Sequence, residues 1–393
     1  MKIGDKTFGE IFADIPLSQK IVVVVGSAFI LFTICYVTYM IAIFEPPNKQ
    51  PEIARVTKTK NTSGILDPSL ASDGTFKILV YTVVTPQQSG NFTTEVHASM
   101  GLPNCLDWET LGSKIESRSD VLIGPDLKTP VTRGIWRAET PSIVYDPADK
   151  GREWKIFAYR YFWAENPSLA RLYGAIVMRT SDKPNAMEWS REEWLFSAAP
   201  GMPPAPYGGA VQQHLNQLHA DLADVYFYAR PSVVMVGDVM VMSLSAFVQG
   251  KNTVDRVVMI ASSDHGRTWR YLGTPIRDAD LNKIGAFTRL GGGSLFMKDD
   301  ILYLSLMLGD ATTDSLGAHI FEFADASSAQ LRRYPKTGNF VIAARVPPIK
   351  NPPSKLGGGA LAYDKTCKGK VLVSESMNDK RFDIYVITNP KLP

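Results

Sequence analysis

Three ionisable residues stand at matching points of a recurring phrase. Asp67 opens Asp67-Pro68-Ser69-Leu70, Arg230 opens Arg230-Pro231-Ser232-Val233, and Glu139 immediately precedes Thr140-Pro141-Ser142-Ile143. The phrase is a bend residue, a small residue and an aliphatic one. It returns as Gly292-Gly293-Ser294-Leu295 and as Gly358-Gly359-Ala360-Leu361. Two carboxyl groups brought to one pocket can divide acid and base work, because each environment sets its own pKa. A guanidinium beside them can grip an anionic group with two hydrogen bonds. The bland reading of the same residues is structural. Asp before Pro is a common strand-opening residue, Glu139 can pair with Arg137 or Arg133, and Arg230 can be a buried ion-pair partner.

Chemistry of the first kind needs elements that bring distant residues together. Each copy of the phrase leads through a polar turn into a second apolar run: Phe76–Val84, Trp154–Trp163, Val239–Phe247, Ile301–Leu308 and Lys370–Ser376. A third run follows each time, at Glu95–Met100, Tyr173–Thr180, Arg256–Ser263, His319–Ala324 and Phe382–Thr388. These runs are short, rich in Val, Ile, Tyr and Phe, and bounded by Gly, Asp or Pro, which is strand composition. A repeating antiparallel unit of this length predicts β-propeller blades, and five copies predict five blades over residues 65–393. Inner strands of a propeller converge on its axis, so their openings can face one hollow. The long insertion before the third copy predicts a helix over Gln212–Leu222, with Leu215, Leu218 and Leu222 on one stripe. That insertion is either a lid or an elaborate loop. Asp221 reaches the hollow if the insertion folds over it.

Composition narrows the partners. The net charge of +3 and the absence of any Lys/Arg block argue against nucleic acid. No zinc-type Cys/His cluster or phosphate-loop glycine pattern occurs, so no metal or cofactor is expected, and the identity of any protein partner is left open. Residues 21–44 carry no charge between Lys20 and Glu45, which is long enough to span a bilayer. The expected organisation is a short tail over 1–20, a single transmembrane helix over 21–44, a tether over 45–64 and the all-β propeller. Basic residues flank the span on both sides, so the positive-inside rule does not set its orientation. The short tail favours an extracytoplasmic propeller. Cys105 and Cys367 fall in the first and last repeat units, which are neighbours in a closed ring. A bridge between them would clasp the ring and imply an oxidising compartment, the alternative being two unrelated thiols.

Two resemblances carry family names. Ser262-Ser263-Asp264-His265-Gly266-Arg267-Thr268-Trp269 resembles the Asp-box, or BNR repeat, of sialidases. That likeness implies a structural hairpin at a blade periphery, with Ser262, Asp264, Gly266, Thr268 and Trp269 as its residues and no catalytic part. The blade layout, Asp67-Pro68 and Glu139-Thr140-Pro141 resemble the five-bladed glycoside hydrolases of the arabinanase/xylosidase and invertase clans. The resemblance implies that Asp67 is base or nucleophile and Glu139 the general acid of glycosidic bond cleavage, which ordinarily uses two carboxyl groups. It departs at the third carboxylate of those clans, whose place here is taken by Arg230. Arg230, Arg137 and Asp221 are the candidate substrate-binding residues. The expectation is a membrane-anchored glycosidase-like propeller acting on a glycan. The alternative is a non-catalytic propeller that binds a glycan or protein at the cell envelope.

Overall fold

The computed structural model describes residues 2–3, 6–7, 52–56, 64–87, 92–123, 130–165, 174–186, 188–197, 211–251, 253–350, 353, 355–378 and 381–393. The chain divides into two compact units, Met1–Asn48 and Lys49–Pro393. In the first, Lys2–Ile3 pairs antiparallel with Lys6–Thr7. The apolar run over 21–44 lies outside the described residues. Among the described residues no helix is long and apolar enough to cross a membrane.

The second unit is an all-β five-bladed propeller. Blade I runs outward from Gly64–Ser72 through Lys77–Pro86 and Phe92–Gly101 to Asp107–Ile115. Blade II comprises Pro130–Tyr145, Trp154–Ala164, Gly174–Ser181 and Glu193–Ser197, and Arg118–Ile123 pairs with the first half of its inner strand. Blade III is Val225–Val236, Val239–Val248, Arg256–Ser262 and Arg270–Arg277, and blade IV is Arg289–Lys298, Ile301–Gly309, Ala318–Asp325 and Ile342–Val346. Among the described residues blade V takes three strands in sequence, Gly358–Tyr363, Lys370–Asn378 and Arg381–Thr388. Its fourth is Glu52–Ile53, paired antiparallel with Tyr385 and Val386. Arg55–Val56 then pairs with Asp107–Ile115 of blade I. Residues 52–56, expected within a tether, are therefore paired strands that bridge the last blade to the first. Cys105 and Cys367 join the same two blades by a disulfide, with Cα atoms 5.7 Å apart.

The core lies between the sheets. One apolar cluster fills each of the five gaps between successive blades: Trp136 and Ile156 lie in the first, Phe196 and Trp269 in the second, Leu304 and Phe321 in the third, Val373 and Tyr385 in the fourth, and Leu79 and Leu372 in the last. The recurring phrase has its own inter-blade task. The Ser69 hydroxyl accepts a hydrogen bond from the Ile143 amide at 3.1 Å, Ser142 from Val233 at 2.9 Å, and Ser232 from Leu295 at 2.8 Å. Each serine thus satisfies a backbone donor of the next inner strand, a buried group that would otherwise cost free energy. In the fifth copy Ala360 has no hydroxyl to offer.

The insertion before blade III departs from the helix predicted over Gln212–Leu222. It forms a two-residue strand, Gln213–His214, and two 3-10 turns, Leu215–Gln217 and Ala220–Leu222. His219 breaks the run with extended backbone at φ −161°, and its Nδ1 accepts from the Asp221 amide. Leu215 and Leu222 are buried as the stripe required, but from separate turns.

Candidate functional site

Every inner strand carries a β-bulge at the phrase, between Leu66 and Ser69, Glu139 and Ser142, Ala229 and Ser232, Leu290 and Gly293, and Gly358 and Ala360. A bulge re-aims the side chain it carries. In the first three blades the bulged residue is left-handed without being glycine: Asp67 has φ 53°, Thr140 φ 53° and Arg230 φ 54°. Such a conformation costs about 1–3 kcal/mol each and persists where the surrounding structure enforces it, which is typical of functional sites.

The bulges of blades I and III put Asp67 and Arg230 within reach of each other. The Arg230 guanidinium stands 3.5 Å from Asp67 Oδ1, with 36% of the arginine side chain exposed against 11% of the aspartate. The Thr82 hydroxyl donates to Asp67 Oδ2 at 3.3 Å and accepts from the Thr140 amide at 2.9 Å. One hydroxyl therefore ties Asp67 to the strand that carries Glu139. Burial pushes the Asp67 carboxyl above the ordinary aspartate range, and the opposing Arg230 charge and Thr82 hydroxyl do not cancel it. Gly292 makes room for the arginine: a Cβ there would lie 2.3 Å from Arg230 Cδ. The glycine at the opening of blade IV thus has a steric purpose beyond the turn.

Asp67 and Arg230 line a cavity of about 550 Å³ that extends along the inner strands to the hairpin turns at Lys298, Asp299 and Asp364. Ser69, Thr140 and Ser232 line it as well, with Tyr145 and Tyr363 further down. Glu139 is not among its lining residues. The Glu139 carboxylate accepts from the Tyr161 hydroxyl at 3.1 Å, and Tyr161 stacks on Tyr159 at 5.0 Å. Burial, reinforced by the Glu139 charge, holds the Tyr161 phenol well above its usual range.

The other candidates are placed as follows. Arg137 is fully buried, its guanidinium 4.3 Å from the ring centres of both Phe92 and Trp163. Asp221 accepts from Tyr271 at 3.0 Å and pairs with Arg277 at 2.8 Å, and it does not line the cavity. The Ser262–Trp269 loop joins the third and fourth strands of blade III. There Asp264 accepts from the Thr268 amide and hydroxyl at 2.8 and 2.6 Å, Ser262 accepts from the Gly266 amide at 2.8 Å, and Trp269 donates to the Gly266 carbonyl at 3.1 Å. Burial pushes the Asp264 carboxyl up, but these hydrogen bonds win and lower it to about 2. The loop locks onto blade II through His265 with Asp146 and Arg267 with Asp149, each at 2.9 Å. Sequence reasoning missed Thr82 and Tyr161. Both lie on second strands, opposite or near the bulges, where nothing in the local pattern sets one polar residue apart from its neighbours. Among the described residues no group of three or more His, Cys, Asp or Glu side chains is arranged to hold a metal ion.

No protein-family model matches the chain. No curated protein matches it in sequence. Similarity appears in backbone structure. A protein of unknown function from Dyadobacter fermentans shares 11% identity, with 86% of this chain and 97% of that one covered at a TM-score of 0.51. A family 117 glycoside hydrolase of the marine bacterium Zobellia galactanivorans shares 13% identity, with 87% and 90% covered at a TM-score of 0.50. The catalytic domain of a GH62 α-L-arabinofuranosidase from Coprinopsis cinerea shares 10%, with 87% and 96% covered at a TM-score of 0.49. At such identities the likeness speaks of fold: this chain is a five-bladed β-propeller with structural neighbours among glycoside hydrolases.

Proposed function

We propose that the propeller is a glycosidase-like domain whose working carboxylate is Asp67. The observation that carries this reading is Asp67 itself: a nearly buried acid on a left-handed bulge, lining a cavity of about 550 Å³ and faced by an arginine about one-third exposed. In its ionised form Asp67 serves as base or nucleophile. Glu139 supplies the second carboxyl, oriented by Tyr161, and works as the acid. The separation of the two groups decides the stereochemistry, about 6.5–9.5 Å for inversion and about 5–5.5 Å for retention. The neighbouring glycoside hydrolase fold supports the reaction class by analogy. A second reading, a glycan-binding propeller without turnover, is favoured by the absence of Glu139 from the cavity lining.

The Ser262–Trp269 loop is read as a structural Asp-box: its box positions bond one another, and His265 and Arg267 between them bond the adjacent blade, away from the cavity. The uncharged run over 21–44 is proposed as the anchor, with the propeller outside the cytoplasm. The Cys105–Cys367 bridge supports that placement, because disulfides persist in oxidising compartments.

A panel of aryl furanosides, pyranosides and sialosides tests the proposal. Turnover of at least one by the wild type, lost in Asp67→Asn and in Glu139→Gln, is the expected result. Binding without turnover across the panel favours the second reading.

A further inference from the structure

We propose that Arg230 is the receptor for the carboxylate of a sugar acid, and that filling it places a proton from solvent on Asp67. This rests on the reading of the axial cavity as a glycan site.

A guanidinium offers five N–H donors in a fixed fork. At Arg230 the contact with Asp67 is 3.5 Å, longer than the ~2.7–2.9 Å of a charge-assisted hydrogen bond. The fork is left largely unspent in a residue that lines the cavity. Its stem is seated over the bare backbone of Gly292, so the head is held at the axis instead of swinging to bulk water. A planar carboxylate matches such a fork in two parallel hydrogen bonds.

A carboxylate gripped there lies beside Asp67, whose side chain is only 11% exposed, so the repulsion between them is screened less than in bulk water. Two carboxylates sharing one site raise the pKa of one of them. Asp67 is the one disposed to yield, because burial already favours its neutral form. The balance is simple: one sugar acid anion and one proton bind together, and no covalent bond changes. The other groups facing Asp67 do not supply the proton. Thr82 is a neutral hydroxyl, and Glu139, on the neighbouring blade's inner strand, does not line the cavity and is engaged by Tyr161. The remaining ionisable residues of the cavity, Tyr145, Lys298, Asp299, Asp300, Tyr363, Asp364 and Lys365, lie at the turn end of the inner strands. There Lys298 is paired with Asp299 at 2.7 Å and Asp364 caps Thr366 at 2.8 Å. A sugar acid bound this way neutralises the base that acts on neutral glycosides.

Isothermal titration calorimetry of the full chain in detergent micelles, with sodium D-glucuronate and with D-glucose, reads this directly. Titrations in two buffers of different protonation enthalpy count the protons. Glucuronate should bind at least about tenfold more tightly than glucose, with uptake approaching one proton. Its affinity should weaken by about tenfold per pH unit above the pKa of free Asp67. Arg230→Gln should abolish binding. Should that variant not fold, Gly292→Ala, which displaces the arginine stem, should weaken binding at least about tenfold. Asp67→Asn should bind with no proton uptake and a flat pH profile. Equal affinity for glucose, binding that survives loss of Arg230, no binding at all, or identical proton uptake in Asp67→Asn each overturns the proposal. Free glucuronate has no glycosidic bond to break, so a failed glycoside panel leaves this result untouched, and failed binding leaves the panel untouched.

Discussion

Asp67 is defined by two opposed demands. Its place on the bulge requires a left-handed backbone, and its burial penalises the charge. A carboxyl whose folded pKa is raised stabilises the fold most below its unfolded pKa, and that contribution is lost as pH rises through the folded value. Asn keeps the shape, tolerates positive φ and carries no charge. Asp67→Asn is therefore expected to melt at a higher temperature than wild type at pH 7. The gain should vanish below about pH 4, where the native aspartate is also neutral. Calorimetric scans at the two pH values check it, and a variant less stable than wild type at pH 7 would mean that the Arg230 ion pair outweighs burial. A stabilising change at the proposed reactive group is the usual mark of a residue kept for function at a cost in stability.

At the scale of the element, the recurring phrase is a joint. Proline or glycine makes the bulge, and the following serine bonds the next blade. Ser142→Ala removes the acceptor of a buried Val233 amide and is expected to cost about 1–3 kcal/mol, read by urea denaturation. A cost below a few tenths of a kcal/mol would show that the amide finds another partner. Much of this layout is legible in the sequence. The second strands begin within a residue of the runs Trp154–Trp163, Val239–Phe247, Ile301–Leu308 and Lys370–Ser376, because Val/Ile/Tyr/Phe-rich composition and Asp/Gly turns mark them locally. The phrase identified Asp67 and Arg230 as residues at equivalent blade openings, but not that they meet, since their contact depends on the bare backbone of Gly292 in a third blade. The helix expected over Gln212–Leu222 fails for a local reason: His219 caps the second 3-10 turn and interrupts the leucine stripe. Thr82 and Tyr161 stayed invisible because their roles are set by strand register.

For the whole molecule, the weak point of a ring is where it closes. Here two devices act on the same seam between blades V and I: the strand pair at residues 52–56 and the Cys105–Cys367 bridge, which spans 262 residues of sequence. Reduction, or Cys105→Ser with Cys367→Ser, is expected to lower unfolding stability by roughly 2–4 kcal/mol. Hydrogen exchange should then rise first at residues 52–56 and along Asp107–Ile115. Exchange that rises instead in blade III would place the weak seam elsewhere.

Asp67 lines the cavity, where it is expected to act as a reactive group. The most direct measurement is kcat/KM for the best-turned-over aryl glycoside, compared between wild type and Asp67→Asn under conditions where both are shown to be folded. Loss of a base or nucleophile predicts a fall of about 10²–10⁴-fold. An Asp67→Asn enzyme that cleaves the glycoside at the wild-type rate would contradict it.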